Sequence, residues 1–238
     1  VSLESAKWAE VLWRHQHIAH WCAGKLDTNL SISMLIPEAH FEHPLNKKIN
    51  AEIYGRNTRS RPCTGRIHAL RKKIKGRLYE FIEKFKVDVI VAENCLTIPM
   101  HVPLGLALTE VIAETGIPTI AHHHDFAWER DRFAISAVPE FLQMAFPPRL
   151  SSIQHVVINS AAREQLAYRE GVSSIIVPNV HDFNVPTPEI DTFSSTFRED
   201  IGLTKDDILI LQPTRLVSRK GVEHAIELVR RLKDPRYK

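Results

Sequence analysis

The stretch Ile208-Leu209-Ile210-Leu211-Gln212-Pro213-Thr214-Arg215-Leu216-Val217-Ser218-Arg219-Lys220-Gly221 decides how the rest of the chain is read. Four apolar residues in a row predict a strand covered on both faces, because a parallel strand between two helical layers shows no alternation. Pro213 cannot donate to a ladder and marks its end. A loop with Thr214, Arg215, Ser218, Arg219 and Lys220 follows. Gly221 then opens a helix with apolar residues at Val222, Ala225, Ile226, Val229 and Leu232, which is helical spacing. A strand, a cationic loop and a helix N-terminus together can hold phosphate: backbone N–H groups face the ligand, and an Arg fork matches phosphate oxygens. The loop has neither G-x-x-x-x-G-K-[ST] nor G-x-G-x-x-G. The local pattern therefore leaves open an ordinary strand–helix connection with solvated cations.

Working outward, strands and helices alternate along the whole chain. A helix is predicted over 1–15 and strands over 18–23 and 31–36. The stretch 37–64 reads as a long loop with short helical pieces, broken by Gly, Pro and Asn. Arg66, Arg71, Lys72, Lys73, Lys75 and Arg77 crowd the start of a helix running to about residue 86. They are either a solvated face balanced by Glu80 and Glu83, or a basic face for an anionic acceptor or an acidic membrane surface. Val87-Asp88-Val89-Ile90-Val91-Ala92 is the clearest buried strand, with Glu93 and Asn94 just past it, where open α/β sheets bind ligands. A helix over 103–114, closed by Gly116, leads to a strand over 117–121 that runs into His122-His123-His124-Asp125-Phe126. Further strands are predicted at 155–159 and 175–177, with a helix over 161–169 between them. This alternation is an α/β fold with a doubly wound parallel sheet.

The segment Pro213-Thr214-Arg215-Leu216-Val217-Ser218-Arg219-Lys220-Gly221 resembles the G-R-L-x-x-x-K-G segment of family 4 (group 1) retaining glycosyltransferases. His-Asp-Phe after the strand over 117–121, Val157-Ile158-Asn159-Ser160 and Val177-Pro178-Asn179 resemble that family too, although Thr214 and Val180-His181-Asp182 depart from its glycines. The resemblance implies the two-domain GT-B fold: a Rossmann-like acceptor-side domain over 1–183, then a linker and the opening of a nucleotide-sugar-binding domain over 184–238. It implies transfer of a hexosyl unit from a nucleotide-diphosphate sugar, with retention, to a small-molecule or lipid-linked acceptor. Arg215 and Lys220 would hold the donor diphosphate without a metal, and no cofactor is expected. His124 and Asp125 would be the catalytic pair, with Asn94 and Glu129 lining the acceptor crevice. The alternative for His124 is a strand-end histidine satisfied by backbone groups, and Glu129 could equally be part of an exposed charged turn.

The family's pair of Glu residues eight apart is absent, and only one strand and one helix follow the linker. The chain is therefore expected to be truncated at both ends and inactive alone. The alternatives are a non-catalytic sugar- or nucleotide-binding fragment, a GT-B sugar phosphorylase or an epimerase.

Composition agrees with a packed globular protein. The 238 residues carry a net charge of +3 and are 44% hydrophobic. That charge gives no pull toward nucleic acid. No apolar run is long enough to span a bilayer, which leaves peripheral membrane contact open. Cys22, Cys63 and Cys95 are odd in number and lack C-x-x-C, so they read as reduced thiols of a cytoplasmic protein. Three consecutive histidines on an extended segment point to alternate faces, which argues against all three binding one ion.

Overall fold

Parallel pairing organises residues 1–180, the first of two units; the second is 181–238. β1 (Trp21–Ala23) pairs with β2 (Ser33–Leu35). A separate sheet holds β3 (Ile90–Glu93), β4 (Thr119–His123), β5 (Ile153–Val157) and β6 (Ser174–Ile176), side by side in chain order. Every pair is parallel, so each connection must cross over; helices supply the crossovers of the four-stranded sheet, whereas a loop over 24–32 joins β1 to β2. The computed structural model describes residues 2–217 and 220–237. Its first unit is the Rossmann-like α/β arrangement that the alternating pattern predicts.

The helices of this unit are α1 (Ser2–Arg14), α2 (Pro44–Ile53), α3 (Arg61–Phe85), α4 (Val102–Thr115), α5 (Pro139–Ala145) and α6 (Ser160–Glu170). α2 occupies ground read as loop. Pro44 sits in its first turn, where the missing N–H costs nothing, and Ile49 and Ile53 are fully buried. α3 starts earlier than the basic run suggests, because Ser60 caps it by accepting the Cys63 amide at 3.2 Å. Its buried stripe, Cys63, Ile67, Leu70, Ile74, Leu78 and Phe81, follows three- and four-residue steps. The basic run on this helix is largely neutralised. Arg66 meets Glu52, Arg71 and Lys75 share Glu110, Lys75 also reaches Glu114, and Lys73 lies 2.7 Å from Glu38. Arg77 pairs with Glu80 as expected, but the other acids come from outside the helix.

α4 begins on His101, which accepts the Leu104 amide at 3.1 Å and donates to the Glu38 carbonyl at 2.8 Å. Burial pushes its pKa down to about 4, so it works as a neutral capping group. Within α4, Gly105 admits the ring of Phe146. A Cβ there would lie 2.1 to 2.8 Å from three ring carbons, and that ring is 5% exposed and walled in. Gly105→Ala should therefore destabilise the fold by about 1–2 kcal/mol. Overpacking costs about 1–3 kcal/mol, and the helix-propensity gain of about 1 kcal/mol offsets only part of it. A urea midpoint that rises in the variant would show the ring to be free to move.

The second unit contains α7 (Thr192–Asp200), capped by Asp191, and α8 (Val222–Leu232). The predicted strand 208–211 is not formed. Ile208 makes one isolated parallel bridge with Tyr237, and Ile210 and Leu211 are exposed. A buried parallel strand needs ladders on its edges and layers on its faces. Among the described residues this unit supplies neither.

Candidate functional site

The C-terminal ends of β3 and β4 gather the polar side chains. The register of the two strands places Glu93 opposite His122, so both side chains leave the same face. His124 lies two residues beyond His122 and returns to that face, whereas His123 takes the other. His122 and His123 belong to β4 itself; the strand runs two residues further than its apolar core suggested.

On the first face Glu93 Oε1 accepts from His124 Nε2 at 2.5 Å. His122 Nδ1 lies 2.9 Å from the same oxygen but is too poorly aligned to form a hydrogen bond. Burial pushes the Glu93 carboxyl up, yet the two adjoining imidazoles outweigh it and hold the acid below its usual range. The other ring nitrogen of His124, Nδ1, faces the Asn179 amide at 3.1 Å. The Trp8 ring of α1 stands 5.3 Å from the His122 ring and covers it.

On the opposite face His123 is fully buried. Its Nδ1 meets the Thr97 hydroxyl, and its Nε2 lies 2.9 Å from His155 Nδ1. Burial lowers the pKa of His123 well below normal and that of His155 to about 4, so this pair is a neutral core network.

Asn94, one step past β3, adopts a left-handed backbone (φ +57°). Its N–H donates to the His122 carbonyl at 2.8 Å, its Oδ1 accepts the His124 amide at 3.0 Å, and its Nδ2 donates to Asp125 Oδ1 at 2.9 Å. Arg130 holds the other oxygen of Asp125. Glu129 turns inward on its own loop, where its Oε2 accepts the Phe126 amide at 3.0 Å and closes the short 3-10 turn Ala127–Glu129.

The structure thus brings His124, Asp125 and Asn94 together and leaves Glu129 as a turn-closing group. It adds His122, and it gives partners to Glu93, which the sequence placed at the ligand-binding strand end without a role and which is the last residue of β3. The signal for Glu93 was its place at the carboxyl end of an apolar strand, but its partner could be known only from strand register. Arg215 and Lys220 lie in the other unit, both exposed. Their loop is tied by Gln212, which donates to the Lys220 carbonyl at 2.8 Å. Gly221 precedes α8 at φ +61°. Ser218 and Arg219 of that loop lie outside the described residues.

No protein-family model matches the chain. It is 32% identical over 241 residues to the mannosylglucosylglycerate synthase of Petrotoga mobilis, an alignment that takes in 98% of this chain and 54% of that protein. It is likewise 32% identical over 237 residues to the mannosylglucosylglycerate synthase of Thermotoga maritima, with the same two coverages. The chain spans about half the length of these curated relatives. Among the described residues no helix is long and apolar enough to cross a membrane.

Proposed function

We propose that this chain is the acceptor-side domain, with the opening of a donor-side domain, of a retaining glycosyltransferase of the GT-B type that uses a nucleotide-diphosphate hexose. The observation that carries the reading is the similarity to two mannosylglucosylglycerate synthases along 98% of the chain. Their name suggests a mannosyl unit as the group transferred and a glucosylglycerate, a small anionic glycoside, as the acceptor. The position of the site supports the same reading, since open α/β sheets bind ligands outside the carboxyl ends of their strands. In this reading His124, oriented by Glu93 and Asn179, contacts the sugar, and Asn94 and Asp125 shape the loop around it. Arg215 and Lys220 stabilise the departing diphosphate, and the protein acts in the cytoplasm.

The test is transfer by the complete protein from nucleotide-diphosphate mannose and glucose to glucosylglycerate and glycerate. Product NMR would read the anomeric configuration. Transfer with retained configuration is the expected result. Binding of nucleotide-diphosphate without transfer to any of these acceptors would instead favour a sugar- or nucleotide-binding module.

A further inference from the structure

The face of β3 and β4 that carries Glu93, His122 and His124 has more ligating atoms than partners for them. Glu93 Oε2 and both ring nitrogens of His122 are buried with no hydrogen-bond partner among the described residues. The His122 side chain is 1% exposed and that of Glu93 is 10%. A buried unsatisfied polar atom costs about 1–3 kcal/mol, and three of them meet within one small volume. The ligand atoms of Glu93, His122 and His124 all lie within 4.8 Å of one another.

From this geometry we infer that Glu93, His122 and His124 form a binding site for a divalent first-row transition cation, Zn2+ or a congener. Two imidazoles and one carboxylate are the donor set of three-ligand sites that keep a coordination position open. The site departs from the expectation, drawn from the family resemblance, that no metal is used. The alternation argument about the three histidines excludes only His123 here. The register of β3 against β4 supplies the third ligand in its place.

The surroundings suit an ion. At metal–ligand distances of about 2.1 Å, tetrahedral ligands stand about 3.4 Å apart. Glu93 Oε1 lies 2.5 Å from His124 Nε2 and 2.9 Å from His122 Nδ1, so the three groups need open only by a fraction of that spacing to admit one. A metal-bound imidazole donates its other N–H to a supporting acceptor. Asn179 stands at His124 Nδ1, and its amide, turned over, presents its oxygen there. The Trp8 ring shields the site from one side. An ion held here would offer its open position to an oxygen of a small-molecule ligand at the strand ends.

The experiment uses the 238-residue chain, stripped with a chelator and titrated with Co2+ under visible absorption, then with Zn2+ as competitor. One equivalent of Co2+ with d–d bands of a low-coordinate N/O site, displaced by Zn2+, is expected. His122→Ala and Glu93→Gln should each weaken binding more than tenfold, and Asn179→Ala about tenfold, as for the loss of a supporting partner. Far-UV circular dichroism of the metal-free forms checks folding, and the near-isosteric Glu93→Gln keeps the test decisive if His122→Ala misfolds. With 13 histidines in the chain, adventitious binding is the rival. No uptake by the wild type, or uptake that Glu93→Gln leaves unchanged, overturns the inference. Because the readout is metal binding, it is scored independently of whether the protein transfers sugar.

Discussion

Arg215→Ala and Lys220→Ala are each expected to lower kcat/KM of the complete protein by about 10²- to 10³-fold, the range for removing one fixed group that stabilises developing charge. On the proposed reaction, negative charge on the nucleotide diphosphate grows as the sugar leaves. An interaction stronger in the transition state than in the ground state is lost from kcat as well as from binding. Both side chains are exposed, and no hydrogen bond or ion pair ties either to another described residue of its unit, so removal does not undo a structural contact. Arg215→Lys should restore only part of the loss, since an ammonium cannot reproduce a two-pronged guanidinium contact. Arg219→Ala is the internal control: it adjoins Lys220, matches no ligand position in the resembling motif, and should have a small effect. Steady-state kinetics with nucleotide-diphosphate affinity for the four variants decides the matter. Equal damage from Arg219→Ala would make the loop a diffuse basic surface.

Asn94→Ala should cost about 3 kcal/mol of folding stability. The left-handed backbone alone costs an L-residue with a Cβ about 1–2 kcal/mol, which Asn tolerates better than Ala. The two well-formed side-chain bonds, to the His124 amide and to Asp125, contribute about 1 kcal/mol each. Asn94→Gly separates the two contributions, for it keeps the backbone conformation and loses only the side-chain bonds, so it should be milder by about 1 kcal/mol. Because Asn94 is what positions the His124 amide and the Asp125 carboxylate, both variants should also lower the proposed activity beyond the loss of folded protein. Equilibrium urea unfolding measures the first effect. An Asn94→Ala cost below about 0.5 kcal/mol, the level of ordinary surface substitutions, would show that the knot does not hold the strand ends together.

Much of the first unit was legible in one dimension. Runs such as Ile90-Val91-Ala92, the glycines Gly116 and Gly171 at helix ends, and the three- and four-residue stripe of α3 are local signals, and each became an element close to where its pattern lies. Local signals fail where the deciding partner is far away in sequence. Ile208 to Leu211 has the composition of a buried strand, yet among the described residues its one β-pairing is the bridge to Tyr237, and Ile208, Ile210 and Leu211 stay exposed. The basic run of α3 looked like a surface feature; Arg77 pairs with Glu80 on the same helix, but most of its other cations meet Glu38, Glu52, Glu110 and Glu114, none of them on α3. The family resemblance pointed to His124 and Asp125 and the strand-end position to Asn94, and the tertiary structure places these three together. Alternation along β4 separates His123 from its neighbours, and the sequence contains that much by itself. That Glu93 stands beside His122 and accepts from His124 was decided by tertiary structure alone. Which residues of two parallel strands lie side by side is set by the crossover helix and the packing of both faces, and neither is written in the spacing of residues along the chain.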